Sequence, residues 1–153
     1  MKKIIFTQLL SISCFLLQAQ SAVEKIELKG TVYTVTKQIP DDLKPILGKY
    51  TYEWGKNGEE PIIQLNLDGT GFFQPHQVAP VPMEFWLDCD DKGIVRKQQG
   101  DNGRFRITLL VKYGESANGN YPTGKYDLMG VTVVTDENYA VINGERFKKL
   151  KGD

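Results

Sequence analysis

The sequence predicts an all-β protein, an antiparallel meander closed into a barrel of roughly eight to ten strands. Apolar residues after position 22 recur with period two, which is typical of half-buried strands. Gly, Asp and Asn separate these segments, so consecutive strands are expected to connect as hairpins. An open sheet of that size would leave two long edges and an apolar face in water, and closure removes both. A β-sandwich is the alternative fold.

The composition is that of one folded domain and disfavours several kinds of function. The 153 residues include 41% hydrophobic and 25% charged ones, as in ordinary globular chains. Nineteen basic and 19 acidic side chains give a formal net charge of zero, so no long-range field attracts nucleic acid. One histidine and two cysteines do not suffice for a structural zinc site, which takes about four ligands. The sequence predicts no nucleic-acid partner, no metal and no cofactor.

Residues 1–22 have the pattern of a secretory signal peptide. Met1-Lys2-Lys3 is a charged start, an interrupted apolar run follows, and 18–22 form a small-residue end suited to cleavage. The run is shorter than the roughly 20 apolar residues of a membrane span. Ser11 stands where a lipoprotein signal ending at Cys14 prefers an aliphatic residue, so lipid modification is not predicted. We expect a periplasmic or secreted protein without a membrane span.

Residues 23–42 are expected to precede the barrel as an N-terminal strand and a short connection. Alternation over Glu24–Lys37 predicts one strand with Val32 on the same face as Ile26. The segment Pro40–Pro45 is the one stretch with helical character, and its prolines keep it too short to carry a core. Helix should therefore contribute little to this protein.

Residues 43–153 are expected to form the barrel domain, because alternating segments and turns continue through them. The predicted strands are Lys49–Trp54, Ile62–Leu67, Phe72–Phe73, Met83–Cys89, Ile94–Gln98, Arg104–Tyr113, Tyr126–Val134, Tyr139–Asn143 and Glu145–Leu150. Asp68-Gly69-Thr70-Gly71 is a tight hairpin that needs positive φ, which glycine supplies. Only the connections at 75–82 and 114–124 are long enough to cross over, as a sandwich requires.

The predicted strand Met83–Cys89 carries a tryptophan whose environment the sequence leaves open. Its odd positions are apolar and should face the core, where the Cys89 thiol would be an inert small hydrophobe. Trp86 shares the other face with Glu84 and Asp88. It is either exposed as part of a binding surface or packed beneath a neighbouring loop.

Several short motifs recur in one known family. They are Leu47-Gly48-Lys49-Tyr50 in the first barrel strand, Leu65-Asn66-Leu67-Asp68-Gly69-Thr70-Gly71 in the next hairpin, Trp86 in the middle of the chain, and Arg146 with Phe147-Lys148-Lys149-Leu150 in the last strand. In these motifs the chain resembles the small bacterial lipocalin-like (calycin-type) domains, over the segment from Leu43 to Lys151. The resemblance implies an up-and-down barrel with an apolar pocket, in a family whose activities vary widely and include binding.

The same resemblance implies a stacking pair near the ends of the barrel sequence. The family commonly has tryptophan where this chain has Tyr50, and an arginine from the last strand packs over that ring. By this likeness Arg146 would pack over Tyr50. Tyrosine at this position is a departure from the family pattern.

No constellation of side chains predicts catalysis. Asp88–Gly93 begins like a calcium loop, but Lys92 occupies its fifth position and Gln99 its twelfth, so a hairpin turn with solvated acids is the better interpretation. His76 is the only histidine, and Ser116 lacks a nucleophile motif around it. Glu84 and Asp88 lie on one strand face with Trp86, and ordinary solvent exposure explains this pair of carboxylates better than catalysis does. The chain is therefore predicted to be non-enzymatic.

The leading functional prediction is a secreted or periplasmic barrel that holds a small hydrophobic or amphipathic molecule in its interior. The pocket candidates are Phe72, Phe85, Phe105, Leu109, Tyr126 and Leu128. The alternative is a protein-binding module, such as an envelope enzyme inhibitor or immunity-type protein, acting through Trp86 and through Tyr121 in the 114–124 loop. A hollow barrel interior favours small-molecule binding, and a solid core favours protein binding. A purely structural role fits the residues equally well.

Overall fold

The computed structural model describes residues 23–55, 61–134 and 138–150, so the predicted signal peptide at 1–22 lies outside the described residues. The described residues form eleven strands and one 3-10 helix, Asp41–Ile46. The strands are β1 (Val23–Leu28), β2 (Thr31–Thr36), β3 (Gly48–Tyr52), β4 (Ile62–Leu65), β5 (Thr70–Gln74), β6 (Val81–Asp88), β7 (Gln98–Gln99), β8 (Arg104–Tyr113), β9 (Tyr126–Val134), β10 (Tyr139–Ile142) and β11 (Glu145–Lys149). The protein is all-β, as predicted.

Eight of these strands close into an antiparallel barrel, which confirms the predicted fold class. Around the ring the order is β3, β4, β5, β6, β8, β9, β10 and β11, and β11 pairs back onto β3. Strand β6 pairs directly with β8, with Phe85 opposite Val111, because the short β7 lies beside β8 outside the ring. Closure satisfies the strand edges that an open sheet would expose.

The antiparallel order gathers the connections at two ends of the barrel. At one end the 3-10 helix inserts Leu43 and Ile46 into the interior, where both are buried. This short helix adds two side chains to the core and, as predicted, helix is a minor part of the described fold. The other end carries the turn at 143–144 and the connections from β3 to β4, from β5 to β6 and from β8 to β9. We call the end that carries the 3-10 helix the closed end and the opposite end the open end.

Apolar side chains occupy the centre of the barrel between these ends. The most deeply buried of them are Ile63, Leu65, Phe85, Leu87, Ile107, Leu109, Val111 and Val131. They come from β4, β6, β8 and β9 and alternate with residues that point away from the centre. The centre of the barrel is thus a packed hydrophobic core, which the sequence did not distinguish from a hollow interior.

The N-terminal segment forms a hairpin and not the single strand predicted over Glu24–Lys37. Lys29 and Gly30 have φ values of 52° and 79°, and two-residue hairpin turns of type I′ need positive φ at both central positions. The turn places Ile26 opposite Tyr33 and so on the same face of the hairpin. Val32 lies on the other face and is 60% exposed, which corrects its predicted position beside Ile26.

This hairpin covers part of the outer surface of the barrel. Strand β2 pairs with the last residues of β6, Val35 with Asp88, beyond the point where the pairing of β6 with β5 stops. A second hydrophobic cluster forms under the hairpin. It consists of Val35, Trp86 and Leu110, with Ile26, Leu28, Tyr33, Tyr126 and Leu128 packed against it. The outward side chains that the hairpin covers on β6, β8 and β9 are therefore apolar, whereas others on the same faces, such as Arg104 and Arg106, remain exposed.

The segment between β6 and β8 contains less strand than predicted. Residues Ile94–Gln98 do not form a continuous strand; Val95 makes one bridge to Cys89, and pairing resumes only at β7. The carboxylate of Asp90 accepts hydrogen bonds of 2.9 Å from the backbone N–H groups of Lys92 and Ile94. These bonds hold a tight turn, so the segment is bent where a strand must be extended.

Candidate binding pocket

A pocket of about 450 Å³ lies at the open end of the barrel, above the packed core. Its lining residues are Tyr52, Pro61, Ile63, Phe73, Tyr113, Tyr121, Asp127, Met129, Ile142, Asn143, Glu145 and Phe147. Most of them are the last inward-facing residues of the barrel strands at that end. The volume falls within the roughly 300 to 1,000 Å³ of small-molecule sites.

Five aromatic rings form much of the pocket wall. Tyr121 meets Phe73 and Tyr113 edge to face, with ring centroids 5.4 Å and 5.2 Å apart. On the other side Tyr52 packs against Phe147 with centroids 5.7 Å apart. Edge-to-face contacts hold rings in place while leaving other faces free for a ligand. The wall is therefore largely aromatic.

Tyr121 reaches the pocket because the β8–β9 loop is folded by its own hydrogen bonds. The backbone N–H of Tyr121 donates to the carbonyl of Asn118 at 3.0 Å, and Asn118 N–H donates to Ser116 Oγ at 3.0 Å. At the base of the loop, Gly124 N–H donates to the carbonyl of Tyr113 at 2.8 Å. These bonds turn the tip of the loop back over the barrel, so its ring roofs the pocket.

The polar groups of the pocket are acids, phenols and one amide. The Tyr52 hydroxyl donates to Glu145 Oε2 at 3.3 Å, and burial, with the nearby Glu145 charge, raises the pKa of Tyr52. Burial, followed by the charge of Asp127, raises the pKa of Tyr113 to about 12, so this phenol is neutral near pH 7. Asn143 Oδ1 accepts a 2.9 Å bond from the Gly130 backbone N–H.

The six residues predicted to line one pocket are separated in the structure. Phe85 and Leu109 belong to the packed core. Phe105 lies at the closed end, on a smaller cavity of about 190 Å³. Tyr126 and Leu128 face outwards, under the β1–β2 hairpin.

Phe72, the sixth candidate, also faces away from the interior. It lies opposite the exposed Pro82, whereas Phe73 lies opposite the buried Ile63 and packs on the core. Successive side chains on a strand point to opposite faces, so only one of these two phenylalanines can line the pocket. The register of β5 with β4 places Phe73, and not Phe72, on the pocket side of the strand.

Of the two residues predicted to contact a protein partner, Trp86 is buried and Tyr121 is half-buried. Trp86 is 5% exposed; it packs beneath the hairpin, and its Nε1 donates to Glu24 Oε1 at 3.3 Å. Tyr121 is part of the pocket wall. Trp54, which the sequence did not single out, is 71% exposed and follows β3 at the open end.

The stacking pair implied by the family resemblance is not formed. The Arg146 guanidinium lies 3.8 Å from the centroid of the Tyr139 ring, not over Tyr50. Lys149 Nζ lies 6.0 Å from the centroid of the Tyr50 ring instead. Side chains alternate along β11, so Arg146 and Lys149 cannot take the same face, and Lys149 is the one on the side of Tyr50.

The remaining reactive side chains have structural surroundings. Cys89 is fully buried, and burial, with the neighbouring Asp88 and Asp90 charges, raises the pKa of its thiol. Glu84 pairs with Lys37 at 2.5 Å, which lowers the pKa of that carboxyl group. Within the described ranges no group of three or more His, Cys, Asp or Glu side chains could hold a metal ion.

Comparison with protein-family models, curated proteins and solved structures finds no match to this chain. Over the part of the chain that the structure describes, no helix is long and apolar enough to cross a membrane.

Proposed function

We propose that this protein is a periplasmic or secreted, non-enzymatic binding protein that holds a small amphipathic molecule at the open end of its barrel. The observation that carries the proposal is the pocket of about 450 Å³ walled by five aromatic rings. Large, rigid aromatic surfaces with a few polar groups are typical of small-molecule sites. The packed core beneath the pocket limits the ligand to the open end.

The arrangement favours an amphipathic ligand over a wholly apolar one. Ile63, Met129 and Phe147 offer an apolar surface to the body of the ligand. Asp127 and Glu145 lie on the same pocket and offer hydrogen-bond acceptors to a polar end. A ligand with both parts can therefore satisfy the pocket without leaving its polar groups unpaired.

We also propose that the chain is a lipocalin-like domain. The proposal is supported by the closed eight-strand barrel with a short helix covering one end. The protein-binding alternative is supported by the packed core of the barrel and by Trp54, whose exposed ring lies at the same end as the pocket. Exposed tryptophan is common at protein interfaces.

Titration of the purified protein with the neutral dye N-phenyl-1-naphthylamine tests the proposed function. We expect saturable fluorescence enhancement at one site per chain, because the dye is apolar and of a size that suits the pocket. Tyr121→Ala should weaken dye binding about tenfold through loss of aromatic contact. Tyr139→Ala, a matched change at the closed end, should leave binding unchanged. Absence of saturable binding, or equal effects of the two substitutions, would exclude this function and favour the protein-binding alternative.

A further inference from the structure

We propose that the open-end pocket selects cationic amphipaths, molecules that join an apolar body to a protonated amine or a quaternary ammonium group. The inference rests on the proposed function and specifies the ligand class of the same site. It stands on the charge of the pocket lining and on the availability of its aromatic rings.

The charged residues on the pocket lining are both acids. Asp127 on β9 and Glu145 on β11 lie on the two strands that flank β10. Neither forms an ion pair with a lysine or arginine among the described residues. Half-buried Asp127 and exposed Glu145 leave negative charge on the pocket lining that a cationic group would neutralise.

Two half-buried acids outside the pocket are paired with cations. Glu84 lies 2.5 Å from Lys37, and Glu53 lies 2.8 Å from Arg146. Among the described residues, no lysine or arginine pairs with Asp127 or Glu145 in this way. The acids on the lining therefore favour a ligand that carries a positive charge.

The aromatic rings of the pocket are similarly free of cations. Outside the pocket, Lys37 Nζ lies 4.6 Å from the ring centroid of Trp86, and Arg146 covers Tyr139. No described lysine or arginine covers any of the five pocket rings. Aromatic faces beside carboxylates are the usual recognition chemistry for ammonium groups.

The phenol of Tyr113 does not offset this charge pattern. Burial and the nearby Asp127 keep its pKa at about 12, so it is neutral at physiological pH. It can accept or donate a hydrogen bond without adding charge. An anionic head group would therefore meet Asp127 and Glu145 without a compensating cation on the lining.

Competition between three ligands of equal chain length tests the selection. Octyltrimethylammonium, octanol and octanoate would each displace N-phenyl-1-naphthylamine from the purified protein. We expect the ammonium to bind about tenfold more tightly than octanol, and octanoate to bind most weakly. The difference in affinity between the ammonium and octanol should decrease at high salt, because ions screen partly exposed charges.

Substitution of the two acids tests their role directly. Asp127→Asn with Glu145→Gln should reduce the ammonium preference to within about twofold, since the charges that carry it are removed. Glu27→Gln, an exposed acid on β1, is the matched control and should keep the full preference. The wild-type ligand series is informative even if the double variant fails to fold.

Two different failures can be told apart. If octanoate competes as well as the ammonium, or the double variant keeps the preference, charge selection is wrong while the proposed binding function stands. If the dye and all three ligands fail to bind, the proposed function itself is wrong and the selection falls with it.

Discussion

The hydroxyl group of Tyr50 donates a buried hydrogen bond of 2.7 Å to the carbonyl oxygen of Ile46. Tyr50 belongs to β3 and Ile46 is the last residue of the 3-10 helix, so the bond ties the helix to the barrel wall. Lys149 of β11 adds a second tie by donating to the carbonyl of Pro45 at 2.7 Å. The closed end is thus held by two strands that are neighbours in the ring.

Loss of the Tyr50 hydroxyl should destabilise the protein without altering the pocket. In Tyr50→Phe the buried carbonyl of Ile46 loses its partner, which should cost about 1 to 2 kcal/mol of unfolding free energy. Urea unfolding followed by circular dichroism measures the change. Tyr33→Phe is the control, because the Tyr33 hydroxyl makes no hydrogen bond to the described residues. Equal stability of the Tyr50 and Tyr33 variants would contradict the role of this bond.

Two buried phenols should make the protein sensitive to alkali. Burial raises the pKa of Tyr50 and of Tyr113 from 10.0 to about 12. The folded state then keeps protons that the unfolded chain releases, so stability present below pH 10 is lost as the pH rises towards 12. The unfolding free energy should therefore fall across this interval.

Tyr50→Phe combined with Tyr113→Phe should make that fall shallower, because neither position then titrates. Urea unfolding at a series of pH values between 10 and 12 gives the slope of the unfolding free energy against pH. Lysines and the other tyrosines titrate in the same interval, so the comparison is between wild type and variant. Parallel slopes for the two proteins would show that these phenols titrate normally.

The two tryptophans should report opposite environments. Trp54 is 71% exposed and Trp86 is 5% exposed. We expect Trp54→Phe, which retains Trp86, to emit at shorter wavelength and to resist acrylamide quenching. Trp86→Phe should emit at longer wavelength and be quenched readily. Similar quenching of the two variants would mean that the β1–β2 hairpin does not cover Trp86 in solution.

The sequence predicted the barrel because alternation and turn residues report local structure directly. Phe105, Ile107 and Leu109 alternate with polar or outward residues, and β8 forms as expected. The N-terminal hairpin was missed because Lys29, at the first position of its turn, adopts a left-handed conformation. Lysine is not a residue type that indicates such a turn. Only Gly30 marked the turn, and a single glycine is a weak indicator.

The six pocket candidates do not lie together because strand faces in this protein are ambiguous. Tyr126 and Leu128 on β9 are apolar, as are Met129 and Val131 on the opposite face. The first pair is partly buried under the β1–β2 hairpin, and the second is buried in the barrel interior. When both faces of a strand are apolar, period two cannot assign them, since each face fits a buried environment. Contacts with distant parts of the chain decide which face of β9 lies inside the barrel.

Methyl NMR of isoleucine during dye titration tests the position of the binding site most directly. Ile63 and Ile142 line the open-end pocket, whereas Ile46 and Ile107 lie in the core towards the closed end. With N-phenyl-1-naphthylamine we expect saturable shifts of the Ile63 and Ile142 methyl signals, because the dye rings would stack beside them. The signals of Ile46 and Ile107 should stay in place. Shifts confined to Ile46 and Ile107, or no shifts at saturating dye, would contradict a ligand site at the open end.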